Sequence, residues 1–196
     1  MQKFDLEKIA SGLLPEPGRL LLAEPYLLNP DFWRTVILLC DHNEKGSFGL
    51  VLNRKLKLTL GDVIPDLSFF VAPLHYGGPV QPDTLHYLHR AEDNNAIKES
   101  ILLYDQVRWG GDFDDLCQKL HRYEILPNDI RFFVGYSGWD ENQLKNEISE
   151  NSWIVADSTN EDIFAEKPSK LWHEVLRSMG GIYASIANFP EHPMLN

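Results

Sequence analysis

A few groups of residues in this chain have types and spacings that could do chemistry. Gly135-Tyr136-Ser137-Gly138-Trp139 has the outline of a hydrolase nucleophile elbow, because an apolar run precedes it and a helix-like pattern follows. That motif needs glycine two residues after the serine, so that the helix packs close beneath the exposed hydroxyl. Here the position is Trp139. Ser137 therefore reads as a turn residue bonded to backbone, and Trp139 as a large ring anchored in the core. Gly77-Gly78-Pro79 could cradle an anion with backbone N–H groups. It lacks the Lys and Ser/Thr of a phosphate loop and the third glycine of a dinucleotide fingerprint, so a turn demanding unusual φ is the simpler account. His42 beside Asp41 could act as a general base, but it stands in a polar turn where solvated histidine is common. His86 and His89 lie three apart on an expected strand, so they point to opposite faces and cannot share a metal. No grouping of Asp, Glu and His has metal-ligand spacing on a helix, so neither metal nor cofactor is expected.

What remains is a polar set at the ends of buried strands: Arg34, Asp41, His42, Asn53, Arg54, Ser137 and Gln143. Together with Gly77, Gly78 and Trp139 these are the candidate binding residues. Loops held by rigid strands are where binding residues concentrate. The same groups could equally satisfy strand-end backbone, as buried polar groups must.

The element that must position them is Thr35 to Arg54. Val36-Ile37-Leu38-Leu39-Cys40 is apolar at every position and opens with β-branched residues, which suits a strand buried on both faces. Phe48-Gly49-Leu50-Val51-Leu52 is nearly as apolar, and the turn residues Asp41 to Gly46 between them predict a hairpin with a longer loop. Ile37, Leu39, Leu50 and Leu52 are expected to be almost fully buried. Elsewhere, strands are expected over 18–23, 71–76, 84–89, 101–104, 130–136 and 153–156, with Ser137 to Asp140 as a turn. Thr59, Asp112 and Ser169 are expected to cap helices, the second with Phe113, Leu116, Cys117 and Leu120 on one face. Residues 1–17 form an N-terminal arm, in which Phe4, Leu6 and Ile9 pattern a short helix ended by Pro15 and Pro17, and 18–196 form one domain. Helices and strands mix without strict alternation, which favours α+β over a doubly wound fold.

Composition narrows the function classes. Lys plus Arg is 18 and Asp plus Glu is 29, giving a net charge of −11. Phosphate backbones bind through clustered Lys and Arg, so tight direct DNA binding is not expected. The two cysteines, Cys40 and Cys117, give no disulfide framework. No membrane-spanning run and no basic start leading into an apolar stretch is present, which predicts a cytoplasmic protein with no membrane association.

Three separated stretches, RTVILLCDHNEKGSFGLVLNR, YGGPV followed by TLHYLH, and FFVGYSGWDENQLKNEI followed by NSWIV, resemble the AlgH/YqgE family of bacterial proteins in the same order over roughly residues 18 to 185. The resemblance implies a single compact α+β domain with a distorted, mainly antiparallel β-barrel-like core flanked by helices. It implies no established biochemical activity, and some members are labelled regulators of transcription. The chain departs from the family pattern at Lys55, where Pro is common, and at Asn142, where Gly is common; Asn tolerates left-handed φ, so that turn can survive. Two classes of function stay open. One is a non-enzymatic regulatory or protein-binding module that presents the hairpin ends and the Gly-Gly-Pro loop to a protein partner. The alternative is a small-molecule-binding protein or enzyme with a pocket near Asn53, Gly78 and Trp139. A pocket holding converging polar groups would favour the second, a shallow apolar patch the first.

Overall fold

The computed structural model describes residues 12–27 and 29–190. The helical pattern over Phe4, Leu6 and Ile9 lies outside the described residues. The apolar runs become strands: β1 (Leu20–Ala23), β2 (Val36–Asn43) and β3 (Gly46–Val51). β1 lies between β2 and β10 (Trp153–Ala156), antiparallel to both. All of β1 and Val36 to Leu39 are fully buried. One face joins the large cluster around Trp172, and the other packs on Trp139, Leu144 and Trp153. Burial on both faces is why apolar residues stand at consecutive positions. Ile37, Leu39, Leu50 and Leu52 are wholly buried, as expected. The loop is shorter than expected. Pairing continues to Asn43 and Gly46, so Glu44 and Lys45 alone make the turn, and the register slips between Leu39 and Asp41 as at a bulge.

β4 (Lys55–Thr59), which the sequence pattern did not predict, pairs with β5 (Pro73–Tyr76). Between them Thr59 opens α1 (Leu60–Val63), with the Asp62 carboxylate accepting both the Thr59 N–H (2.7 Å) and its hydroxyl (2.8 Å). β5 begins at Pro73 rather than at Val71, which is 74% exposed. β6 (Val80–Arg90), β7 (Ile101–Tyr104) and β8 (Val107–Trp109) follow. Asp112 caps α2 (Phe113–His121) by accepting from Asp115 N at 2.7 Å; Leu116 and Leu120 are inward, while Phe113 is exposed.

β9 (Ile130–Asp140) is the seam of the molecule. Ser137 to Asp140, expected as a turn, continue the strand: Ser137, Gly138, Trp139 and Asp140 pair with Gly49, Phe48, Ser47 and Gly46 of β3. The turn comes later, at Asn142, whose φ of 59° leads into α3 (Gln143–Ser149). α4 (Asn160–Ile163), α5 (Leu171–Met179) and α6 (Gly181–Ile186) complete the described chain. A 3-10 turn over Pro168–Lys170 makes Lys170, not Ser169, the residue that enters α5.

The strand order is β10-β1-β2-β3-β9-β6-β8-β7, with β4 and β5 joined to it at β9. One side of β9 pairs with β5 over residues 132–134 and with β3 over 137–140. The sheet thus forks at β9, and no ladder between its end strands closes it. The order ends in two edges, β10 and β7, so the expected barrel-like core is corrected to an open, mainly antiparallel sheet flanked by helices. Among the described residues no helix is long and apolar enough to cross a membrane.

Candidate functional site

The predicted site residues do not meet in one place. Arg34 is buried against the C-terminal helices: its Nη2 donates to the carbonyls of Phe189 (2.7 Å) and Pro190 (2.8 Å), and its guanidinium lies 4.8 Å from the Trp172 ring centre. Asn53 closes the mouth of the hairpin, accepting from Val36 N at 3.0 Å and donating to Arg34 O at 2.8 Å. Arg54 donates to Pro30 O at 2.8 Å and lies over Tyr76. Asp41 accepts from Asn43 at the far end of the hairpin, and His42 Nδ1 shares a 2.7 Å hydrogen bond with Ser47 Oγ. Ser137 is fully buried with Oγ donating to Gly77 O at 3.2 Å, which is a backbone-satisfying role rather than that of an exposed nucleophile. Trp139 Nε1 donates to Glu147 at 2.8 Å, and Gln143 also bonds Glu147 while accepting from Asp140 N. Gly77 and Gly78 are buried against β9 and present no loop to solvent. Asn53 lines the second of the two cavities described below, while Gly78 and Trp139 line neither.

The converging polar groups lie where β4, β5, β9 and β6 run side by side. Lys55 is opposite His75, His75 opposite Phe133, and Arg131 opposite Leu88 in the strand pairing. Alternation along each strand then delivers Lys55, His75, Arg131 and Arg90 to one face, while Leu74 and Phe132 turn to the other core. The 160–168 segment folds over that face. Together they enclose a cavity of about 560 Å³, lined among others by Lys55, Pro73, His75, Arg90, Asn128, Ile130, Arg131, Asn160, Phe164 and Pro168. That volume falls in the range of small-molecule sites.

Arg131 forms the floor. It is 9% exposed; its Nη2 donates to Ala165 O, and its Nη1 is buried without a hydrogen-bond partner. Phe164 lies beneath both guanidiniums, 4.8 Å from Arg90 and 6.0 Å from Arg131. Burial and then the neighbouring Arg90 push the Arg131 pKa down to about 10, which still leaves it charged near neutral pH. Arg90 pairs with Asp129 at 2.9 Å. His75 is 3% exposed, and its Nδ1 lies 3.3 Å from Phe132 O. Burial first, then the charges of Arg131 and Lys55, pull its pKa down to about 4, so it is neutral with the proton on Nδ1. Asn160 donates to Asp105 at 2.7 Å, while its Oδ1 is buried and without a partner. The carboxylates on the lining, Glu161 and Glu166, are exposed at the rim. A second, more open cavity of about 720 Å³ adjoins across Lys55, Glu166 and Pro168, and it is here that Asn53 and Arg54 are found, with Asp31 and Tyr76. Among the described residues no group of His, Cys, Asp or Glu could hold a metal ion.

The sequence reading missed His75, Arg90 and Arg131. A signal was present: Arg131 interrupts Ile130-Arg131-Phe132-Phe133-Val134 at a position that alternates with Phe133 toward a buried face. A lone charge on a buried strand face needs a partner, and none was in view.

A model of the AlgH-like family matches residues 20–184. A UPF0301 protein of Chlorobium limicola is 47% identical over 180 residues, covering 92% of this chain and 95% of that one. One of Cytophaga hutchinsonii is 43% identical over 179 residues, covering 91% and 98%. Among solved structures, a protein of Corynebacterium diphtheriae shares the fold at a TM-score of 0.78 and 24% identity, covering 90% of this chain and 94% of that chain. The solution structure of the AlgH protein of Pseudomonas aeruginosa matches at a TM-score of 0.70 and 25% identity, covering 92% and 98%.

Proposed function

The chain belongs to the AlgH-like family, and on that footing we propose that it is a small-molecule-binding protein whose ligand sets an anionic group on the cavity floor beside Arg131. The observation that carries the reading is the Arg131 Nη1 donor, buried and without a partner in the protein. An unmet buried donor costs roughly 1–3 kcal/mol, more when charged, and a ligand oxygen would remove that cost. Lys55 and Arg90 reinforce the local positive potential in a molecule whose net charge is −11. Phe164, Pro73 and Pro168 supply an apolar wall for the rest of the ligand. Any regulatory role would then run through occupancy of this cavity, because the 160–168 segment that roofs it leads into α5 and the main core.

Denaturant unfolding of the wild type and of Arg131→Gln in sodium phosphate, sodium sulfate and sodium chloride at matched ionic strength tests this. The variant controls for the general stabilisation that sulfate and phosphate give any protein. Saturating oxyanion should stabilise the wild type over the variant by up to about 2.7 kcal/mol at a hundredfold excess over Kd. Equal responses of the two proteins would sink the reading.

A protein partner is the second reading, favoured by strand β7. It pairs with β8 on one side only, and Ile101, Leu102 and Tyr104 on it are about half exposed. The Ile101–Leu102 half of this edge is suited to adding a strand from another chain, whereas Gly18 lies against Leu103 and Tyr104.

A further inference from the structure

Resting on the anion reading of this cavity, we infer that the group bound on its floor is an oxyanion carrying its own hydrogen-bond donor: a protonated phosphate, inorganic or as a monoester, and not a sulfate. Two residues with opposite hydrogen-bonding needs line the cavity. Arg131 Nη1 is a donor in want of an acceptor. His75 is the reverse. Its Nδ1 faces the Phe132 carbonyl at 3.3 Å and so holds the ring proton, which leaves the lone pair of Nε2 to the cavity that the ring lines. Asn160 Oδ1 is a further acceptor without a partner on the same lining.

A neutral imidazole offering a lone pair repels a bare anion. It welcomes an anion that brings an O–H. Protonating His75 would remove the conflict, but the groups around the ring oppose it. Lys55 stands directly opposite on β4, Arg131 shares its face on β9, and the ring is nearly out of water. Burial and these charges hold the ring neutral well below neutral pH. The carboxylates that could offset them, Glu161 of α4 and Glu166, are exposed at the rim, and Arg90 of β6 is already paired with Asp129. Near neutral pH phosphate always keeps at least one proton as the free ion, and sulfate keeps none. The floor is thus matched to the first and mismatched to the second.

Calorimetric titration of the full chain with inorganic phosphate and with inorganic sulfate, each in two buffers of different ionisation enthalpy, reads this directly. Phosphate should bind at least about tenfold tighter than sulfate, the effect of one buried hydrogen bond made or denied. Whatever sulfate binding remains should give the same heat in both buffers, since sulfate has no proton to exchange and His75 takes up none. His75→Phe should bring the two anions to similar affinity, and His75→Gln, whose amide oxygen can stand in for Nε2, should keep the preference. Phenyl phosphate at about pH 6, where its monoanion is populated, separates the sources: tighter binding than inorganic phosphate assigns an ester, weaker binding the free ion. If sulfate binds as well as phosphate, or binds with proton uptake, the inference fails while the anion reading of the cavity stands. If neither anion binds at millimolar concentration, both fail. Should His75→Phe not fold, the wild-type ratio, the buffer dependence and His75→Gln decide the matter.

Discussion

Gly77 and Gly78 show how closely two backbones approach at the centre of this fold. A Cβ on Gly77 would lie 2.1 Å from the Gly135 carbonyl oxygen, and one on Gly78 would lie 2.2 Å from the Tyr136 backbone. The glycines serve strand contact, and the anion cradle read from the same three residues does not form. Ser137 sits at that crossing with its hydroxyl on Gly77 O. Replacing it with alanine removes one hydrogen bond, an expected cost of about 1 kcal/mol. Trp139 is a heavier element: it is 5% exposed, packs edge-on to Trp153, and both indoles donate to the Glu147 carboxylate at 2.8 and 2.7 Å. Trp139→Ala should therefore cost about 3–5 kcal/mol, with the Glu147 charge losing one partner as well. Paired denaturation curves check the contrast, and equal losses in the two variants would contradict it. Reaction of wild-type Ser137 with a serine-directed fluorophosphonate would contradict its burial outright. At this scale the large ring at Trp139 was readable as an anchor from residue type alone. The shared carboxylate was not, since Glu147 is one of many acidic residues and its meeting with two indoles depends on the turn at Asn142.

Among the elements, β2 was the most readable and β9 the least. Val36 to Leu39 are apolar at consecutive positions, and only a strand covered on both faces explains that economically. Leu39 is wholly buried in the cluster of Ile37, Val51, Trp139, Leu144 and Trp153. Leu39→Ala should destabilise the fold by about 2–5 kcal/mol and strongly lower the melting temperature. A melt that barely moves would mean that the hairpin is peripheral. β9 was misjudged at its second half because Ser137-Gly138-Trp139-Asp140 has turn composition. What overrides composition there is pairing with Gly46 to Gly49 of β3, a contact about ninety residues away in the chain. Local propensity cannot register such a partner. β4 was missed for a related reason: Lys55 to Thr59 has ordinary alternation and no strong apolar run, and its pairing with β5 is what makes it a strand. The basic face of the cavity needs β4, β5, β9 and β6 at once, so it could not emerge before all four were placed.

For the whole molecule, charge and protons are the levers. A net charge of −11 opposes general affinity for phosphate backbones, and the cationic groups that do converge line one cavity. The same burial makes stability depend on pH. His75 and His89 are both nearly or fully out of water, and each has its pKa lowered from 6.5 to about 4. For His89 burial is the main cause, followed by the charge of Arg108. Each histidine is neutral when folded and binds a proton when unfolded once the pH is below 6.5. The unfolded state then holds more protons, so stability rises with pH across this window. It should be level above about 6.5 and fall progressively toward about 4, by on the order of a few kcal/mol for the two together. Glu24, whose carboxyl is raised by partial burial, works weakly in the opposite sense. Urea unfolding in half-unit steps between about pH 7.5 and 4.5 should show the slope, and His75→Gln combined with His89→Gln should flatten it. A slope unchanged in the double variant would mean that these two histidines do not set the acid sensitivity. If phosphate occupies the cavity as inferred, its stabilising effect adds to the plateau near neutrality. The preference for phosphate over sulfate should shrink as His75 is protonated at acid pH, because the ring then offers a donor that either anion can accept.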